Sequence, residues 1–64
     1  MNYSIHLINE DGKGSYLSVK GRTEWKSLSI AKKHCDNVRA IKGKGGILNF
    51  SIAQVENELG EIVY

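Results

Sequence analysis

Sixty-four residues leave room for one domain, 1–64, with a small core. The single cysteine, Cys35, excludes an intramolecular disulfide, and His6, His34 and Cys35 are too few and too scattered for a structural zinc site, so no cofactor or metal is expected. The net charge of +2 is uneven, with residues 20–44 summing to +6 and residues 45–64 to −3, and no apolar run approaches the ~20 residues of a membrane span.

The first element is "YSIHLI", Tyr3 to Ile8. Tyr3, Ile5 and Leu7 alternate with Ser4, His6 and Ile8, a period of two in β-forming residues that predicts a strand. "NEDGKG", Asn9 to Gly14, is turn chemistry, and "SYLSVK", Ser15 to Lys20, alternates again, so the two runs predict an antiparallel hairpin. Gly21 bends the chain into the short extended piece Thr23–Trp25.

A helix follows, capped by Ser27 or Ser29 and stopped at Gly43. At 100° per residue Leu28, Ala31, Cys35 and Val38 share one arc, with His34 and Ile41 at its edges and Trp25 folded over its start. "ILNFSIAQVE" predicts another strand, with Leu48, Phe50 and Ile52 on one face and Ala53 and Val55 on the other. That change of phase near Ile52–Ala53 suggests a bulge or a strand lying over both faces. A turn at Leu59–Gly60 returns the chain through Ile62 to Tyr64 as a fourth strand. The fold class is α+β: a small antiparallel sheet of order β-β-α-β-β with one helix packed on one face. Leu17, Trp25, Leu28, Ala31, Cys35, Val38, Leu48, Phe50 and Ile52 form the expected core.

Catalysis finds little to work with. Cys35 lies in the apolar stripe, and His34 points about 100° away from it on the helix, so the two make no nucleophile–base pair. His6 reads as an exposed strand histidine, and the carboxylates are divided among turns. "GKGSY" and "GKGG" lack phosphate-loop spacing, and the second follows a helix where a phosphate site needs the start of one. No catalytic residue is assigned and no enzyme is expected.

The remaining signal is the basic middle third. Lys32 and Arg39, seven residues apart, share one flank of the helix, and Lys42 projects near the same side. Asp36 stands within i,i+3 or i,i+4 reach of Lys32, Lys33 and Arg39 and neutralises part of the row. The candidate binding set is Lys32, Lys33, Arg39, Lys42, Lys44 and Arg22, with Lys20 and Lys26 adding charge nearby. Lys32 and Arg39 lie outside the apolar stripe, so reversing their charge is expected to leave folding intact.

"GRTEWKS" (Gly21–Ser27), "AKKH" (Ala31–His34) and "VENELGEIV" (Val55–Val63) resemble a type of small bacteriophage and prophage accessory protein that pairs a Thr-x-Trp segment with a basic helix and an acidic hairpin. The resemblance runs from Tyr16 onward. It implies a cytoplasmic protein of an infected or lysogenic bacterium that binds host factors, and it designates no catalytic residue. The expected function is therefore non-enzymatic binding to a protein partner with an acidic patch, through the basic helix flank or an edge strand. "SLSIAKKHC" departs from that type, with Leu28 and Ile30 giving a more apolar helix start, and an extra apolar position there suits an extra contact such as a homodimer interface. The alternative is a nucleic-acid-binding module, against which stands the scatter of the aromatics among the basic residues.

Overall fold

The computed structural model describes residues 1–41 and 50–64. Three strands, β1 (Tyr3–Ile8), β2 (Gly14–Tyr16) and β3 (Ile52–Asn57), form an antiparallel sheet of order β2-β1-β3, and one helix, α1 (Leu28–Ile41), packs on one face. The α+β class and the single helix agree with the sequence reading. The expected helix stop at Gly43, the glycine turn into β3, Lys42, Lys44 and Leu48 lie outside the described residues.

The alternation in β1 does what it predicts. Ile5 and Leu7 are buried toward α1, while Ser4, His6 and Ile8 face away. Two turns with the same pattern, Asn-Glu-x-Gly, close the hairpins on either side. In the first, Gly12 N donates to Asn9 O and Asn9 N to Lys13 O; in the second, Gly60 N donates to Asn57 O and Asn57 N to Glu61 O. Gly12 and Gly60 stand at φ 88° and 81°, the left-handed position this turn-plus-bulge requires.

β2 is shorter than the expected Ser15–Lys20. Leu17 N still donates to Ile5 O, but Val19 and Arg22 then exchange both main-chain bonds with each other across a two-residue turn at Lys20 (φ 52°) and Gly21 (φ 80°). Two consecutive positive φ values make a turn whose twist suits a tight hairpin. With Val19 committed there, the place beside Tyr3 on β1 goes to Trp25, which gives and takes one bond each with Tyr3 at 2.8 and 2.7 Å.

Ser27 is the helix cap: its Oγ accepts from Ile30 N at 3.4 Å and its main-chain oxygen from Ala31 N at 3.1 Å. Ala31, Cys35 and Val38 turn the stripe onto Ile5, Leu7, Trp25, Phe50, Ala53 and Val55, with Leu17 and Leu28 packed at the margin. Ile52 departs from the expected core. It pairs with Ile8 on the face away from α1 and is 46% exposed, while Ala53 and Val55 take the inward positions. The change of phase is real, and it falls between Phe50 and Ala53.

The expected fourth strand is not formed among the described residues. Glu61–Tyr64 returns beside β3, but only Glu56 and Ile62 make a bridge, with Val63 N donating to Val55 O at 2.8 Å. The next rung is taken by a side chain. Arg39 Nη2 reaches between the strands and donates to Ala53 O at 2.7 Å and to Tyr64 O at 3.0 Å. A guanidinium stands where two main chains would have paired.

Candidate functional site

The helix flank that carries Lys32, Asp36 and Arg39 is an internal clasp. Arg39 Nε also donates to Ala53 O, at 3.2 Å, and Nη1 lies 3.8 Å from Asp36 Oδ1. The Tyr64 hydroxyl donates to Asp36 Oδ1 at 2.7 Å, and its ring lies beneath Arg39 Cζ at 4.7 Å and Lys32 Nζ at 5.1 Å. Lys32 and Arg39 thus spend their charge on an aromatic ring, a carboxylate and two carbonyls of their own chain. The expectation that Arg39 could be reversed without harm to the fold is corrected: outside the apolar stripe it is still a cross-link between α1, β3 and the return segment. The Asp36 bond raises the Tyr64 phenol above its ordinary value, with desolvation adding to the effect.

The same clasp covers one of the two edges of the sheet. Ala53 O, Val55 O and Asn57 N along the outer edge of β3 are bonded to Arg39, Val63 and Glu61 in turn. An edge whose main-chain groups are taken cannot extend a partner's sheet without first losing those bonds. The other edge is three residues long at β2.

Lys33 and Arg22 are exposed, and Arg22 belongs to a second cluster that the sequence placed only loosely. Arg22, Lys26, Trp25, Ser27 and Ile30 line a depression of about 510 Å³, together with Asn2 and Glu24. Val19, Lys20, Arg22, Trp25 and His34 line another of about 430 Å³. Arg22 and Trp25 belong to both, so the two adjoin and together make a recess along the edge of the indole, itself only 5% exposed. The His34 ring lies 5.0 Å from that of Trp25 and closes the recess on the helix side. Lys20, Arg22 and Lys26 are all exposed, Lys20 in the left-handed turn and Arg22 in its main-chain pairing with Val19. Glu24 is the one acidic residue in the lining.

On the sheet face opposite α1, Tyr16 donates to Glu56 Oε2 at 3.1 Å, His6 Nδ1 lies 3.8 Å from Glu56 Oε1, and the His6 and Tyr16 rings are 5.1 Å apart. The Glu56 bond raises the Tyr16 phenol above its ordinary value. Gly14 fits here because a Cβ at that position would meet the His6 ring. This face offers a tilted aromatic pair beside a carboxylate, with Ile8 and Ile52 at one end. Cys35 is fully buried, and that burial pushes its thiol up, against a smaller lowering by Arg39. Among the described residues no three His, Cys, Asp or Glu side chains gather as metal ligands, and no helix is long and apolar enough to cross a membrane.

Comparison with family models, with curated proteins and with solved structures finds no match. The functional reading therefore rests on the geometry of this chain.

Proposed function

We propose that the protein is a non-enzymatic binding module that takes an acidic segment of a protein partner into the recess around Trp25. The observation that carries the reading is that Arg22 and Trp25 line both depressions, with Lys20 and Lys26 beside them and a single carboxylate opposed. Such a surface joins the exposed Ile30, the partly buried Val19 and the edge of the buried Trp25 to cations that steer and orient an anionic chain. The reading moves the contact away from the helix flank, where Lys32 and Arg39 hold Tyr64. It agrees with the host-factor-binding accessory role, in the bacterial cytoplasm, that the sequence resemblance implies.

A nucleic acid would meet the same cations. The aromatic pair His6–Tyr16 lies instead beside Glu56, which repels phosphate, and this favours the protein partner. Trp25 is the only tryptophan, so its fluorescence reports the recess directly. A Glu-rich peptide with a central leucine should change that emission at micromolar concentration, and duplex DNA or single-stranded RNA should compete weakly at physiological salt. Saturation by nucleic acid alone, with a salt slope equivalent to several released counterions, would give the site to the alternative reading.

A further inference from the structure

The chain carries a candidate ligand for its own recess. The turn Asn57–Glu61 projects Leu59, which is 73% exposed, between Glu58 and Glu61. It is a stiff projection. Asn57 Oδ1 accepts from Leu59 N at 3.0 Å and from Glu61 N at 2.9 Å, and Asn57 Nδ2 donates to Glu61 Oε1 at 3.0 Å. Little conformational entropy is left to lose when such a turn is bound. Glu58 makes only a loose pair, 3.9 Å from the Met1 amino group with both partners about half exposed.

We propose that the leucine-tipped acidic turn of one copy seats in the Trp25 recess of a second copy, and this rests on the reading of the recess given above. The complementarity is twofold. Leu59 matches Ile30, which is 47% exposed beside the buried Trp25, and Glu58 and Glu61 match Arg22 and Lys26. Placement allows closure. Thr23 and Glu24 line a depression with Asn57, Glu58 and Gly60, and Glu24 also lines the recess with Arg22. Turn and recess therefore flank one short segment, so a two-fold axis beside it puts each turn into the other copy's recess and ends the assembly at a dimer. A specific interface needs about 800 Å² from each partner, roughly a fifth of the 4336 Å² this chain exposes. The contact relies on exposed charge pairs and is accordingly sensitive to salt.

Sedimentation velocity of the full chain over a concentration series tests this, with wild type, Arg22→Glu, Glu58→Arg, the two reversals combined, and Leu59→Asp. Thermal melts of each variant verify folding. Wild type should sediment as a concentration-dependent dimer at low salt and dissociate as salt rises. Each single reversal and Leu59→Asp should weaken the dimer about tenfold or more, and the combined reversal should restore it. A wild type that stays monomeric at millimolar concentration and low salt overturns the proposal, as does a combined reversal no better than the single ones. If wild type is monomeric yet the Glu-rich peptide still changes Trp25 emission, only the self-association fails. If the peptide is also without effect, the reading of the recess fails with it.

Discussion

The guanidinium of Arg39 donates twice to the main-chain oxygen of Ala53, at 2.7 and 3.2 Å, and so joins the exposed flank of α1 to the outer edge of β3. A residue that the helical wheel assigns to solvent is thereby a cross-brace, and its charge is withdrawn from the surface available to a partner. Arg39→Ala removes these bonds and the one to Tyr64 O, leaving a partly buried carbonyl without its donor. The expected loss is about 1–3 kcal/mol. In a domain of this size each kcal/mol is worth about 4–8 °C in melting temperature. A Lys33→Ala control, on the solvent side of the helix, should change the melting temperature hardly at all. Equal melting temperatures for wild type and Arg39→Ala would remove the brace from the account.

The alkaline limb of stability follows from three raised groups: Cys35 by burial, Tyr64 by its bond to Asp36, and Tyr16 by its bond to Glu56. Each is an acid that the folded chain holds neutral above its unfolded pKa. Between about pH 8.5 and somewhat above 10, therefore, the unfolded chain releases protons that the folded chain keeps. Stability should be fully present below that window and fall as pH rises through it. Urea midpoints at pH 7.5 and 10.5 measure the fall. Tyr64→Phe removes one contribution, so its midpoint should drop less between the two values than that of wild type. A drop of the same size in both would show that the Asp36 bond is not the cause.

Core and surface divide at two neighbouring apolar residues. Phe50 is 3% exposed within the cluster, and Ile52 is 46% exposed on the opposite sheet face. Phe50→Ala should cost about 3–5 kcal/mol, a large share of what so small a domain has to lose. Ile52→Ala should stay within about 0.5 kcal/mol. Chemical denaturation of the two variants checks the assignment, and a larger loss at Ile52 would reverse it.

Much of this architecture is legible in the sequence, because period carries it. The alternation of Tyr3–Ile8 and the three-four-three spacing of Leu28, Ala31, Cys35 and Val38 specify one strand, one helix and the faces they bury. Ser27 and Ser29 are both recognisable as caps by residue type and place, and the bonds from Ile30 N and Ala31 N select Ser27. What escapes is decided between elements. Nothing in the order of residues says that a main-chain oxygen at position 53 lies opposite Arg39, or that Tyr64 lies over Lys32 and Asp36. Main-chain acceptors carry no side-chain signature, so an arginine bound to one looks like a solvated arginine. The helix flank therefore reads as a binding row and the return segment as a strand. The recess is half visible in the sequence: Arg22 is among the candidate binding residues, but its junction with Trp25 depends on the left-handed Lys20–Gly21 turn, which places lysine where glycine or asparagine is usual. The repeated Asn-Glu-x-Gly pattern was present as a signal for both hairpin turns.

Cys35 should behave as an inert thiol. It is wholly enclosed, and burial holds it protonated at neutral pH. A thiol reagent should modify it far more slowly in the native protein than in urea. Similar rates in the two conditions would place the sulfur at the surface and reopen a redox role.

The most direct test of the central claim compares the two basic surfaces as sites for one ligand. The Glu-rich, leucine-centred peptide is titrated against wild type, against Arg22→Glu/Lys26→Glu in the recess, and against Lys33→Glu on the outer face of α1, with Trp25 emission as the readout. Tight contact of the recess cations with the peptide predicts a loss of about tenfold or more for the recess variant. Lys33→Glu should bind within about twofold of wild type, since a lone exposed charge contributes little. Undiminished binding by the recess variant, or a greater loss at Lys33, would contradict the account.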